Sequence, residues 1–216
     1  MENKMSKISD IKLLQSENGR IGKMELFGQI DKSQYAIISR LTLKLREMNF
    51  RFEQNFSWLI IIFTPSLSAN QIKIIGKISG DSFCQVNVGA DFSKRMSSEQ
   101  LLSIIKRILI MLTNENNKPV IQGAINYIVE YKEKSTILYK RKKVGKYEVL
   151  FYIIVKDNNS ETRIARVVDI DGNLLKEIEV PFLLDLIGKV YLKNGAIYIT
   201  DKNSENEENF ISVQVA

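Results

Sequence analysis

Ser57-Trp58-Leu59-Ile60-Ile61-Ile62-Phe63-Thr64-Pro65 is the stretch that decides the fold. Its unbroken apolar run from Trp58 to Phe63 is rich in β-branched and aromatic side chains and is stopped by Thr-Pro, which predicts a strand covered on both faces. The run is too short to cross a bilayer as a helix, which takes roughly 20 apolar residues. It is therefore read as the central strand of a folded domain, with the neighbouring segments arranged to cover it. Trp58, which opens the run, is read as core.

Working outward, Gly22–Ile30 predicts a first strand with an irregularity at Gly28. Asp31-Lys32-Ser33-Gln34 then carries an N-cap carboxylate and a glutamine three residues later, the pair that satisfies the free amides of a helix start. In the helix that follows, Tyr35, Ile38, Leu41, Leu45 and Met48 recur at three and four residues, while Lys32, Arg40, Lys44 and Glu47 fall off that stripe. Beyond Pro65, Gln71–Ser79 and Ser82–Val88 alternate as two strands joined by Gly80-Asp81. In the second of these, Phe83, Gln85 and Asn87 lie on one side and Cys84, Val86 and Val88 on the other. Ser97-Ser98-Glu99-Gln100 is a second capping box and opens a mostly buried helix, with Lys106 and Arg107 on its wet strip.

This order predicts an α+β fold: N-terminal helices packed on one face of a small antiparallel or mixed sheet. The polar stretch from Thr113 to Pro119 reads as a boundary, giving an α+β domain over 1–117 and a β-rich domain over 118–216. Val120–Tyr131 fits either a helix or a strand. Thr136–Lys140 and Tyr147–Lys156 read as strands joined through Lys142-Lys143-Val144-Gly145. Arg163–Asp169 with Leu174–Val180 forms a hairpin over Asp171-Gly172, and Lys189–Leu192 with Ala196–Thr200 forms one over Asn194-Gly195. With Phe210–Val215 as an edge strand, the second domain is expected to be a β-meander or small sandwich.

The composition narrows the chemistry. The chain has 216 residues, a net charge of +6, a single cysteine and no histidine. Imidazole bases, Ser-His-Asp and Cys-His nucleophiles, and zinc sites built on histidine or paired thiolates are thereby excluded. Carboxylate or lysine chemistry is what remains. Cys84 has no intramolecular disulfide partner and is read as a small buried side chain. Residues 1–20 mix both charges and lack the apolar core of a secretory signal, so a cytoplasmic location is expected.

The densest charge cluster is Tyr139-Lys140-Arg141-Lys142-Lys143-Val144-Gly145-Lys146-Tyr147. Tyr139, Lys140, Arg141, Lys142, Lys143 and Lys146 are the candidate partner-binding residues, suited to an acidic protein surface or to phosphates. The structural alternative is a solvated hairpin tip whose lysines discourage edge-to-edge pairing. Asp169-Ile170-Asp171-Gly172-Asn173 superficially resembles a cation loop, but Gly172 is fourth and Val180 twelfth, so a hairpin turn is the better reading. Glu130-Tyr131-Lys132 has the Glu-x-Lys spacing of metal-dependent nucleases but no evident partner acid. No catalytic residue, cofactor or metal site is assigned.

Glu25-Leu26-Phe27-Gly28-Gln29-Ile30-Asp31, a tyrosine-bearing helix, and then Leu59–Pro65 together resemble the start of some immunity proteins from bacterial polymorphic toxin systems, over about residues 20–113. That resemblance implies a cytoplasmic, non-enzymatic protein that binds one cognate toxin and blocks its active site or substrate path. It transfers no functional residue, because such families share a fold and vary their binding surfaces. The expectation is thus a toxin-neutralising binding protein. A nucleic-acid-binding module using 139–147 is the second reading, and a metal-dependent hydrolase through Glu130 and Lys132 the third.

Overall fold

The computed structural model describes residues 6–21, 25–77, 82–202 and 210–215. The chain divides into two compact units: residues 1–135 with 157–159, and residues 136–156 with 160–216. The division thus falls between Ser135 and Thr136 instead of after 117, because the segment beyond Pro119 is a third helix that packs on the first two.

The first unit is built on a five-stranded mixed sheet in the order β3-β2-β5-β7-β6. Its strands are β2 (Asp10–Gln15), β3 (Glu25–Leu26), β5 (Trp58–Thr64), β6 (Ile72–Lys77) and β7 (Phe83–Gly89). The short pair β1 (Ser6–Lys7) and β4 (Arg51–Phe52) lies apart from it. As the apolar run predicts, β5 is central, paired in parallel with β2 on one side and β7 on the other. Antiparallel β6 flanks β7. Leu59 to Thr64 are buried without interruption, whereas Trp58 is 36% exposed. The tryptophan is therefore not core: it sits at the strand entrance with the Lys12 ammonium 4.5 Å from its ring, the kind of half-wet cation–π contact that an indole makes readily.

Both capping boxes form as the sequence dictates. The Asp31 carboxylate accepts from the Gln34 amide at the start of α1 (Lys32–Glu47), and Ser97 Oγ accepts from the Gln100 amide at the start of α2 (Ser98–Met111). The ambiguous segment is α3 (Lys118–Tyr131), with Pro119 in its first turn. A proline there loses no hydrogen bond and supplies the helical φ in advance. Ile38, Leu41 and Leu45 of α1, Ile104, Ile105 and Ile108 of α2, and Ile121, Ala124 and Ile128 of α3 join one core with Ile11, Leu13, Leu59, Ile61, Phe63, Val86 and Val88 of the sheet. The helices therefore cover one face. The third lies beyond residue 117, so the helices are not confined to the predicted first domain.

The other face is buried as well, but around polar groups. Gln85 and Asn87, on the β7 side opposite Cys84, Val86 and Val88, both donate to the Gly19 carbonyl, at 2.9 and 3.0 Å. Thr64 Oγ1 donates to the Glu17 carbonyl at 3.2 Å. The loop after β2 thus seals this face by meeting every buried side-chain amide with backbone. It needs a glycine to do so: Gly19 has φ +67°, and a Cβ there would fall 2.4 Å from Asn87 Nδ2.

The first-strand reading is corrected. Among the described residues of Gly22–Ile30 only Glu25–Leu26 pairs and Phe27 turns into the core, while Gly22, Lys23 and Met24 lie outside the described residues. Ile78, Ser79 and the Gly80-Asp81 turn also lie outside them. Arg40, which falls off the apolar stripe, is nonetheless only 1% exposed. Its guanidinium donates to Asp157, in the three-residue turn that belongs to the first unit, and Ser39 Oγ donates to Asn159 Oδ1 at 3.3 Å.

The second unit holds two antiparallel meanders. One runs β8 (Thr136–Val144), β9 (Tyr147–Val155), β10 (Glu161–Val168), β11 (Leu174–Glu179), and the other β12 (Ile187–Lys193), β13 (Ala196–Asp201), β14 (Phe210–Gln214). Strict alternation along β9 buries Tyr147, Val149, Phe151, Ile153 and Val155, the period-two pattern of a sheet with one core face. Asn194-Gly195 turns β12 into β13 with both residues at positive φ, +50° and +73°, as a two-residue hairpin demands.

Candidate functional site

The basic segment is not a hairpin tip. Only Gly145 and Lys146 form the turn; Tyr139, Lys140, Arg141, Lys142 and Lys143 lie along β8, which is an edge strand of its sheet. Lys142 and Lys143, read as part of the connection, pair with Val149 and Glu148. The strand continues through them because a charged side chain is well tolerated on a sheet edge.

A bulge decides what the cations share. The register shifts between Leu138 and Lys140, leaving Tyr139 as the extra residue. Beyond the bulge, Lys140 stands opposite Phe151 and Lys142 opposite Val149, whose side chains are fully buried. Arg141 stands opposite Leu150 and Lys143 opposite Glu148, on the other face. Cross-strand partners share a face, so the cluster is split: Lys140 and Lys142 on the core side, Arg141 and Lys143 on the outer side. Lys140 and Lys142 are half-buried along the edge of the core.

The chain ending β13 and the 3-10 turn entering β12 meet this core-side rim. Tyr139 OH donates to the Asp185 carboxylate, and Lys202 Nζ donates to the Asp185 carbonyl at 2.8 Å. Burial, together with the ammonium groups of Lys142 and Lys202, holds the Lys140 amine below its ordinary pKa, with Asp185 opposing the shift. Strand β12 packs beside β8, and Leu192, 44% exposed, lies 3.9 Å from where a side chain on Gly145 would begin. Lys202, Asp185 and Leu192 gave no signal in the sequence, since they are distant in the chain and belong to no motif.

The other candidates resolve simply. The Asp169 carboxylate accepts from the Asp171 and Asn173 amides at 2.9 and 2.8 Å and from the Asn173 side chain at 3.0 Å, and these bonds hold its pKa below the usual carboxylate value. It is the clasp of a hairpin turn. Glu130 lies in the last turn of α3, which ends at Tyr131, and Lys132 caps it at φ +49°, so the Glu-x-Lys pair does not lie along a strand. Among the described residues no three His, Cys, Asp or Glu side chains gather closely enough to hold a metal ion.

Cys84 is fully buried, and burial raises its thiol to about 11. Ellman's reagent is therefore expected to leave it unmodified in the native protein at pH 8 and to label it once urea unfolds the first unit. The sign of the linkage is definite. Between about pH 9 and 11 the unfolded chain gives up this proton and the folded chain keeps it, so this group lowers stability as pH rises through that window.

No helix among the described residues is long and apolar enough to cross a membrane. No protein-family model, no curated protein and no solved structure matches the chain.

Proposed function

We propose that the chain is a non-catalytic binding protein of the immunity type, acting in the cytoplasm, which neutralises a cognate bacterial protein toxin by covering it. The supporting observation is the rim formed by β8 and β12, where exposed Leu192 lies beside a turn carrying Lys146, on the edge that also presents Lys140 and Lys142. An apolar anchor with a polar, charged surround is the anatomy of a protein interface. The same register favours an acidic protein over nucleic acid, since cations divided between two faces of one strand do not make the continuous stripe that a phosphate backbone follows. Of the basic residues, Lys140, Lys142 and Lys146 would face the toxin together with Tyr139, while Arg141 and Lys143 would remain outside the contact. A stable contact covers roughly 800 Å² per partner, so neighbouring loops of the same unit would complete it.

Co-expression with the protein encoded beside this gene is the test. The expected result is protection of the cells, and capture of that protein with sub-micromolar affinity. Leu192→Asp is expected to weaken capture roughly thirtyfold or more, as loss of a buried anchor does. Absence of both protection and capture removes the reading.

A further inference from the structure

Three ammonium groups and one carboxylate meet on the core-side rim of the second unit. Lys140 and Lys142 are placed there by the bulge at Tyr139, and Lys202 is brought in by its hydrogen bond to the Asp185 carbonyl. The Asp185 carboxylate already accepts from the Tyr139 hydroxyl. The half-buried Lys140 thus faces two further ammonium groups and one carboxylate, and the four together carry two excess positive charges, an arrangement that is unfavourable until an anion joins it. Lysine presents a compact charge with rotatable donors and so can follow separate oxygens, where a planar guanidinium fork prefers one flat group.

We infer that Lys140, Lys142 and Lys202 form a binding site for a group presenting two oxyanions, with Arg141 and Lys143 taking no part. Two neighbouring acidic side chains of a protein segment and a free phosphate share this chemistry. The acidic segment as the source rests on the proposed toxin-binding function; the site itself does not. The geometry excludes Arg141 and Lys143 because their side chains leave β8 on the opposite face, although they are sequence neighbours of the site lysines.

The test is lysine-ammonium NMR on the full chain at fixed ionic strength, titrated in one arm with inorganic phosphate and in the other with a short peptide carrying two adjacent aspartates. The Lys140, Lys142 and Lys202 signals are expected to move saturably while those of Lys143 and Lys146 stay in place. Lys142→Gln is expected to weaken binding about fivefold and Lys143→Gln less than about twofold, although each removes one charge from the same strand. Saturation by the peptide alone assigns an acidic segment, by phosphate alone a free anion, and by both the shared chemistry. Equal weakening by the two variants, or lysine signals that all drift together without saturation, overturns the site. Peptide binding without capture of the neighbour-encoded protein keeps the site and rejects the toxin reading. Capture that survives Lys140→Gln, Lys142→Gln and Lys202→Gln combined keeps the toxin reading and rejects this site as its anchor.

Discussion

Replacing Phe63 by alanine is expected to lower the stability of the first unit by about 3–5 kcal/mol, the range for emptying a large aromatic site in a packed core. The ring is fully buried on the helix-covered face of β5. It stacks on Phe27, with centroids 4.0 Å apart and planes 10° from parallel, and Phe27 in turn tilts against Phe92 at 6.2 Å. Phe63 is fixed on a strand paired in parallel on both sides, while Phe27 and Phe92 come from connecting segments that can close part of the way into the vacated space, which places the cost near the middle of that range. Urea denaturation followed by the fluorescence of Trp58, the sole tryptophan and a member of the same strand, reads the change directly. A loss below about 1.5 kcal/mol, the cost of a tolerated apolar swap, would mean that β5 is not the rigid centre of the sheet.

The second large effect concerns Arg40 and Asp157, and its asymmetry is the informative part. The arginine side chain is 2% exposed and the aspartate 55% exposed. Asp157→Ala leaves a guanidinium buried without its carboxylate, expected to cost about 3 kcal/mol, the low end for breaking a buried pair because one partner already stands half in water. Arg40→Met keeps the apolar stem and removes the charge together with its desolvation cost, so it is expected to fall within about 1.5 kcal/mol of the parent. The same denaturation measurement checks both. An Arg40→Met protein less stable than Asp157→Ala would show that the contact acts through attraction more than through the demand of a buried charge.

Local rules made much of the fold legible. The run from Trp58 to Phe63 located the centre of the sheet, and two capping boxes located two helix starts, because hydrophobic periodicity and capping act within a few residues. The hairpin over Asn194-Gly195 was readable for the same reason, whereas the one expected over Asp171-Gly172 is a wider turn from Asp169 to Asn173 in which Gly172 has positive φ and Asp171 does not. What failed depended on distant chain. Arg40 looked like a surface residue because its partner lies 117 positions away. Alternation placed Gln85 and Asn87 on one side of their strand but gave no sign of their burial, because the Gly19 carbonyl that satisfies them is contributed by another loop. Pro119 was read as an end when it was a beginning, since a proline marks both a linker and a helix first turn. In the candidate site, the lysines of β8 were visible as a dense run, but the bulge that sorts them by face was not. Their companions Lys202 and Asp185 are joined to them only by the folded chain.

The turn Asp157–Asn159 belongs to the first unit although the strands on either side of it belong to the second. A cut after Ser135 therefore does not yield two self-sufficient pieces. The shorter fragment would carry off a residue that Arg40 was folded to meet, and the longer would keep a cation made for a neighbour that had left. Shuffling either half into another gene would carry the same defect.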